Sequence, residues 1–319
     1  MNSYGEFDFI AHIRKMFAEL PTNSFEGIGD DCSVLPIGDE ALVFTADMLN
    51  EGVHFLTDKS TPFQIGYKSV MVNISDVAAM GATPVATLLS LALPKERFGE
   101  WAEEFMRGYR AASAKYGVAL VGGDTTKSEG GICINVTAIG RVALNNVKRR
   151  SAANVGDAIA VTGCLGASAS GLRDVFEGNV ETANATIHLM PEAQVAEGVW
   201  LGKQESVHAM MDISDGIASD IQHILKESNV GAVVSEGSVP IAEGATFSDA
   251  LCGGEDYQLL LTIDANDVDR VCADFQREFG KLLYIIGRVV VPDEANCVLR
   301  IESENGDILD SALEGYRHF

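Results

Sequence analysis

Five mostly apolar runs in this chain end in a turn that carries an aspartate: Gly27-Ile-Gly-Asp30-Asp31, Phe44-Thr45-Ala46-Asp47, Asn73-Ile-Ser-Asp76, Val121-Gly-Gly-Asp124 and Asp212-Ile-Ser-Asp215. A carboxylate beside apolar sequence sits at the edge of a core, where an unpaired charge is costly. Five such places need a shared compensating charge, and the few basic residues near them cannot supply it. Divalent cations can, and hard oxygen ligands of this kind suit magnesium.

The chain's 319 residues leave room for two domains. Its net charge of −23 argues against nucleic acid or an anionic membrane as partner, since both need a basic face. The same charge means that a phosphate ligand must arrive with counter-cations. The first eight residues show neither a basic nor an apolar leader segment, so no signal peptide is expected. The uncharged stretch Val77 to Leu93 contains Gly81 and Pro84 and is too short and broken to cross a membrane. Six scattered cysteines without a Cys-x-x-Cys pair suit a reducing cytoplasm.

Residues 41–47 read as a strand ending at Asp47. Thr61-Pro62 opens a helix with Phe63, Tyr67, Val70, Ile74 and Val77 on one face, stopped by Gly81 and Pro84. Asp76 falls near its C-terminal end, where the helix dipole disfavours an anion, either as a ligand or as a solvated helix residue. A strand over 85–93, a helix from Phe98 to Tyr116, and strands over 118–122 and 132–142 complete a β-α-β-α-β-β half. The polar segment 143–157 is the expected boundary, dividing the chain into 1–148 and 149–319. Beyond it come strands at 158–162, 231–235, 257–263 and 282–291 and helices at 192–203, 215–228 and 266–279, with 294–310 expected as solvated surface.

Ser214 or Asp215 is expected to cap the helix that follows, and Asp215 is either a cap or a ligand. Asp212, after Ala209-Met-Met, reads better as a ligand. Gly122-Gly123-Asp124 lets backbone approach a phosphate, or is a plain glycine turn. Gly163-x-x-Gly166 lacks the lysine of a phosphate loop and is taken as structural. Gly253-Gly-Glu255-Asp256-Tyr257 either displays a carboxylate in a pocket or is a turn with solvated acids. His54 lies near Asp47 in sequence.

Ile28-Gly-Asp-Asp31, Thr45-x-Asp47 with Gly52-Val-His-Phe55, Lys68-Ser-Val-Met-Val-Asn-Ile-Ser-Asp76-Val-Ala-Ala-Met-Gly-Ala82, Val121-Gly-Gly-Asp-Thr-Thr126, Asp212-Ile-Ser-Asp-Gly216 and Gly253-Gly-Glu-Asp-Tyr257 occur in this order. As a set they resemble the thiamine-monophosphate kinases of the aminoimidazole-ribonucleotide-synthetase-like superfamily, essentially end to end. The resemblance implies an α/β and α+β two-domain fold, with an N-terminal α/β domain whose mixed sheet pairs in a homodimer and a C-terminal α+β domain. It implies transfer of a phosphoryl group from ATP to thiamine monophosphate with the help of several Mg2+ ions. Asp30 or Asp31, Thr45, Asp47, Asp76, Asp124, Asp212 and Asp215 match its magnesium positions. Gly123, Asp124, Arg150 and Ser214 match positions that touch ATP. His54, Glu255 and Phe319, with Tyr316 as a second candidate, match positions on the thiamine side. Ala46 departs from the family, which usually has a hydroxyl residue there. The rivals are a purine-pathway synthetase of the same superfamily and a non-catalytic calcium-binding protein, for which no complete calcium-loop pattern is present.

Overall fold

The computed structural model describes residues 5–292, 298–310 and 315. After helix α1 (Glu6–Phe17) come strands β1 (Ser33–Ile37) and β2 (Glu40–Asn50), helix α2 (Pro62–Ala79), strand β3 (Thr83–Leu93), helix α3 (Glu100–Tyr116), and strands β4 (Ala119–Lys127) and β5 (Cys133–Ala143). The five strands form one sheet in the order β1-β2-β5-β3-β4. Only the β3–β4 pair is parallel, so the sheet is mixed. Alternation along the strands decides which face is covered. Val43 and Leu49 of β2, Leu89 and Leu91 of β3, and Ile134 and Val136 of β5 are buried on the face that carries α2 and α3. The opposite face shows Met48, Ala46 and Ser90 to solvent, and β4 is exposed along its whole length.

α2 is the central element. Thr61 and Gln64 form a reciprocal capping box and Pro62 sits in the first turn, so the helix start is well specified. Every residue from Ile65 to Ser75 is buried. The stripe beside its apolar face is therefore not a solvated surface; Ser69 and Asn73 find partners inside. Gly66 and Gly108 allow α2 and α3 to cross in contact: a Cβ on Gly66 would lie 2.0 Å from the Phe105 carbonyl oxygen.

The second half contains β6 (Ala158–Val161), α4 (Ala167–Glu177), α5 (Ala183–Leu189), α6 (Val195–Gly202), β7 (Val207–Asp212), α7 (Ile217–Ser228), β8 (Gly231–Ser235), α8 (Phe247–Cys252), β9 (Leu259–Ile263), α9 (Val268–Phe279), β10 (Tyr284–Val290), β11 (Leu299–Glu302) and β12 (Ile308–Asp310). Its sheet runs β12-β11-β8-β10-β6-β9-β7. α7 packs on one face through Ile217, Ile221 and Ile224, and α9 on the other through Val271 and Phe275. Ala79, at the end of α2, belongs to the second of these cores, so α2 bridges the two halves.

One expectation needs correcting. The segment 294–310 is not all solvated surface, because β11 pairs in parallel with β8 and Leu299 is fully buried. Its charged neighbours Arg300 and Glu302 hide the two apolar positions that make it a strand.

Candidate active site

Asp31, Asp76 and Asp212 each offer a carboxylate oxygen, and all of these lie within 4.8 Å of one another. Their placement follows from three separate elements. Asp31 stands in the loop before β1, Asp76 in the last turn of α2, and Asp212 at the end of β7 in the second half. The first two come from one sheet's domain and the third from the other's. Burial and then Asp31 push Asp212 up to about 8. Burial, Asp47 and Asp212 hold Asp76 well above the ordinary carboxylate range. Asp47, on the inward face of β2, is raised by burial and by Asp31.

Polar neighbours orient these carboxylates. Thr45 Oγ1 donates to Asp76 Oδ2 at 2.5 Å, and Ser75 Oγ donates to Asp212 Oδ2 at 2.6 Å across the domain seam. Asn73 accepts from the Asp47 backbone N–H at 2.9 Å. Arg150 Nη2 donates to Asp31 Oδ1 at 2.5 Å, while the Arg150 N–H donates to Asp30 Oδ1 at 2.7 Å. Asp30 thus serves the turn before the second half, and Asp31 faces the cluster.

The donor set fits a divalent cation. Asp31 Oδ2 and Arg150 Nε are buried and have no hydrogen-bond partner among the described residues. Such orphans are rare in folded proteins, and a carboxylate oxygen left bare among other carboxylates is in place for a metal. One guanidinium cannot neutralise four buried acids.

Beside the cluster lies a cleft of about 660 Å³ between the two halves, lined by Asp47 and His54 on one side and by Ser168, Ser214, Asp215 and Glu255 on the other. His54 accepts the Asn50 N–H on Nδ1 at 3.0 Å. Glu255 pairs with the buried Lys68 of α2 at 2.7 Å and lies 3.4 Å from His188. Burial works against its charge, but Lys68 and His188 outweigh it and hold the carboxyl below its usual value.

The remaining expected residues are placed as follows. Ser214 and Asp215 do not cap α7, whose first turn starts after Gly216 without a side-chain cap. Their backbone N–H groups both donate to Asp220 Oδ2, at 3.0 and 3.1 Å, and both residues line the cleft. Gly123 and Asp124 lie within strand β4, not in a turn. Gly123 permits close pairing, since a Cβ there would sit 1.8 Å from the Leu89 carbonyl oxygen. The register Met48–Asn135–Ser90–Asp124 puts Asp124 on the uncovered face of the sheet, about 14 Å from β2 across three strand spacings. Within one chain it is not brought to the other aspartates. Tyr316 and Phe319 lie outside the described residues, and Gly315 before them lines the cleft.

Sequence reasoning assigns no role to Lys68, Ser75, Ser168, His188 or Asp220, and the two acids expected at Gly253–Tyr257 part company. Ser75 was within reach, one position before Asp76 in a buried helix. Asp256 turns away from the cleft and accepts the Gly166 and Ser168 N–H groups at 2.6 and 3.0 Å, which anchors α4 in the cleft wall.

The first half, residues 29–142, matches the AIR synthase related protein N-terminal domain, and residues 154–299 match the C-terminal domain of the same proteins. Thiamine-monophosphate kinase from Buchnera aphidicola (Acyrthosiphon pisum) is 38% identical over 84% of this chain and 86% of its own length. The Escherichia coli K12 enzyme of that name is 32% identical over 99% of this chain and 98% of its own. The chain belongs to the thiamine-monophosphate kinase family. A solved structure of AaThiL complexed with AMPPCP and TMP is 31% identical and superimposes with a TM-score of 0.83, covering 99% of this chain and 97% of that one. The thiamine-monophosphate kinase of Stenotrophomonas maltophilia is 36% identical with a TM-score of 0.75, covering 93% of this chain and 96% of that one. The two-domain α/β fold is thus that of the kinase family.

Proposed function

We propose that the chain transfers the γ-phosphoryl group of ATP to the phosphate of thiamine monophosphate, giving thiamine diphosphate and ADP. The observation that carries this is the carboxylate cluster of Asp31, Asp76 and Asp212, built from both halves beside a cleft that opens onto Glu255. Phosphoryl transfer asks a protein for positioning and charge neutralisation more than for covalent chemistry. Asp31, Asp47, Asp76, Asp212 and Asp215 would hold magnesium ions, which would supply the positive charge that two phosphate groups and an acidic protein require. Ser75 and Thr45 hold two of those carboxylates in orientation, and Arg150 opposes the upward push that burial gives Asp31. The acceptor oxygen belongs to a phosphate whose second ionisation lies near pH 6, so it attacks as an anion and no general base is assigned. His54 and Glu255 form the wall against which the thiamine moiety is read, and Ser214 and Arg150 lie on the ATP side.

In this reading residues 1–148 hold metal and ATP and pair with a second copy, and residues 149–319 complete the cleft. Support for a homodimer comes from β4, where Leu120 is 43% and Val121 60% exposed, and from Met48, 51% exposed on the uncovered sheet face. A bare strand edge beside an apolar face invites pairing. Asp124, on that face, then meets a nucleotide only through the second copy. Among the described residues no helix is long and apolar enough to cross a membrane, in keeping with a cytoplasmic kinase.

The test is thiamine diphosphate formation by the purified protein, titrated with magnesium beyond the ATP concentration. Turnover that rises with magnesium above one equivalent of ATP is expected. ADP release with a purine-pathway precursor and none with thiamine monophosphate would reject the proposal, and a monodisperse monomer by light scattering would reject the dimer.

A further inference from the structure

Lys68 is buried on α2, in the first half, and does not line the cleft. Its Nζ lies 2.7 Å from Glu255 Oε1, on the loop before β9 in the second half. A buried ammonium is costly without a partner. Here the partner is a carboxylate that forms part of the cleft wall. The Glu255 backbone is fixed as well. Its N–H donates to the Ser214 carbonyl at 2.7 Å, and its φ of +65° lies in the left-handed region that non-glycine residues rarely adopt. The other carboxylate oxygen lies 3.4 Å from His188 Nδ1, and that nitrogen is 2.9 Å from Ser168 Oγ. His54 adds its field from the loop after β2. The charged or titratable groups facing Glu255 among the described residues are therefore Lys68 of α2, His188 of α5, His54 and the buried Tyr257.

We propose that Lys68 is a positioning residue for acceptor recognition: from across the seam it holds the Glu255 carboxylate turned into the cleft as the anionic contact for a cationic ring. This rests on the reaction proposed above, whose acceptor carries a quaternary ring nitrogen. Lys68 cannot itself touch the acceptor, so it acts through Glu255. The backbone at Glu255 sets where the side chain starts, and Lys68 sets where it ends.

The experiment compares Lys68→Met, Lys68→Arg, Glu255→Gln and the double variant Lys68→Met/Glu255→Gln in steady-state assays with thiamine monophosphate and ATP. Lys68→Met and Glu255→Gln are each expected to raise KM for thiamine monophosphate roughly tenfold or more, with kcat and KM for ATP within about twofold. Lys68→Arg restores most of the loss. The double variant is no worse than Glu255→Gln alone, because the lysine acts only through the glutamate. An unchanged acceptor KM in Lys68→Met, or a double variant whose loss is the product of the two single losses, overturns the proposal. If Lys68→Met does not fold, the double variant leaves no unpaired buried charge and carries the same comparison against Glu255→Gln. Wild-type protein that makes no thiamine diphosphate overturns the reaction and this inference together. Normal wild-type turnover with Lys68→Met unaffected overturns this inference alone.

Discussion

Asp76→Asn separates the metal role of the cluster from a structural one. Oxygens of Asp31, Asp76 and Asp212 lie within 4.8 Å of each other in the interior. Two unit charges at that separation repel by about 3 kcal/mol at an effective dielectric constant of about 20. Asp76 faces two such partners. Proton uptake relieves part of the repulsion, since Asp212 is pushed up to about 8, and Arg150 offsets Asp31. The amide keeps an oxygen to accept from Thr45, so the local hydrogen bond survives. Without metal, Asp76→Asn should therefore be more stable than wild type by about 1–3 kcal/mol, or a melting temperature higher by several degrees at about 2–4 °C per kcal/mol. Magnesium with a non-hydrolysable ATP analogue should raise the wild-type midpoint and leave the variant nearly unmoved, because only the native state holds the ligand. Thermal unfolding in chelator and in excess magnesium reads both effects, and thiamine diphosphate formation should be lost. A variant less stable than wild type in chelator would make Asp76 a structural hydrogen-bonding residue, and an undiminished magnesium shift would remove it from the ligand set.

Three further outcomes follow from single contacts. Ser75→Ala removes the 2.6 Å bond to Asp212 and should raise the magnesium concentration for half-maximal activity roughly tenfold, as loss of a residue that orients a metal ligand does; an unchanged titration at fixed MgATP would count against it. His188 and His223 are held down to about 4, chiefly by burial, against about 6.5 when unfolded. Their depressed values contribute stability that is complete above pH 6.5 and lost as pH falls towards 4, about 3 kcal/mol for each. Urea midpoints should drop between pH 7 and 5, and His188→Gln or His223→Gln should flatten the slope; a flat wild-type profile contradicts this. Gly123→Ala would force a Cβ to 1.8 Å from the Leu89 carbonyl, so the β3–β4 pairing must open, with lower stability and less dimer by light scattering.

Period and punctuation made the first half readable. Strands near 41–47, 85–93 and 132–142 and the helices between them emerge from alternation, a proline start and glycine stops. β11 did not emerge, because two apolar residues among charges carry no periodic signal. The site was readable as a set of aspartates but not as an arrangement. Asp47 and Asp124 both follow apolar residues on strands, yet they face opposite sides of one sheet. That side depends on register accumulated over three strand pairings, which no local motif encodes. Lys68 and His188 were invisible for a related reason: each gains its role from Glu255, a partner far along the chain. Asp220 replaced Ser214 and Asp215 as the group that satisfies the turn before α7, because a buried carboxylate one turn into the helix reaches back to both N–H groups.

The two halves meet backbone to backbone, and this limits how the cleft can work. A Cβ on Gly198 of α6 would lie 2.3 Å from the Ala78 carbonyl oxygen at the end of α2, and one on Gly202 would lie 2.9 Å from the Gly81 Cα. Next to this contact the buried Lys148 Nζ donates to the Gln204 and Val207 carbonyls at 2.8 and 2.6 Å. Further along, Glu192 accepts from the hydroxyls of Tyr67 and Tyr116, both at 2.8 Å. Where the helix backbones touch at Gly198 and Gly202 the seam has little room to shear, and rotation would strand a buried ammonium. Repulsion within the acid cluster is thus borne by a rigid frame and relieved by cations, not by domain opening. Small-angle scattering profiles of the metal-free protein and of the protein with magnesium and an ATP analogue should therefore superimpose. Gly198→Ala, which wedges the seam, should weaken magnesium dependence and acceptor binding together although it touches neither ligand. A ligand-induced change in the wild-type profile, or a Gly198→Ala protein with normal magnesium and acceptor dependence, would refute the rigid frame.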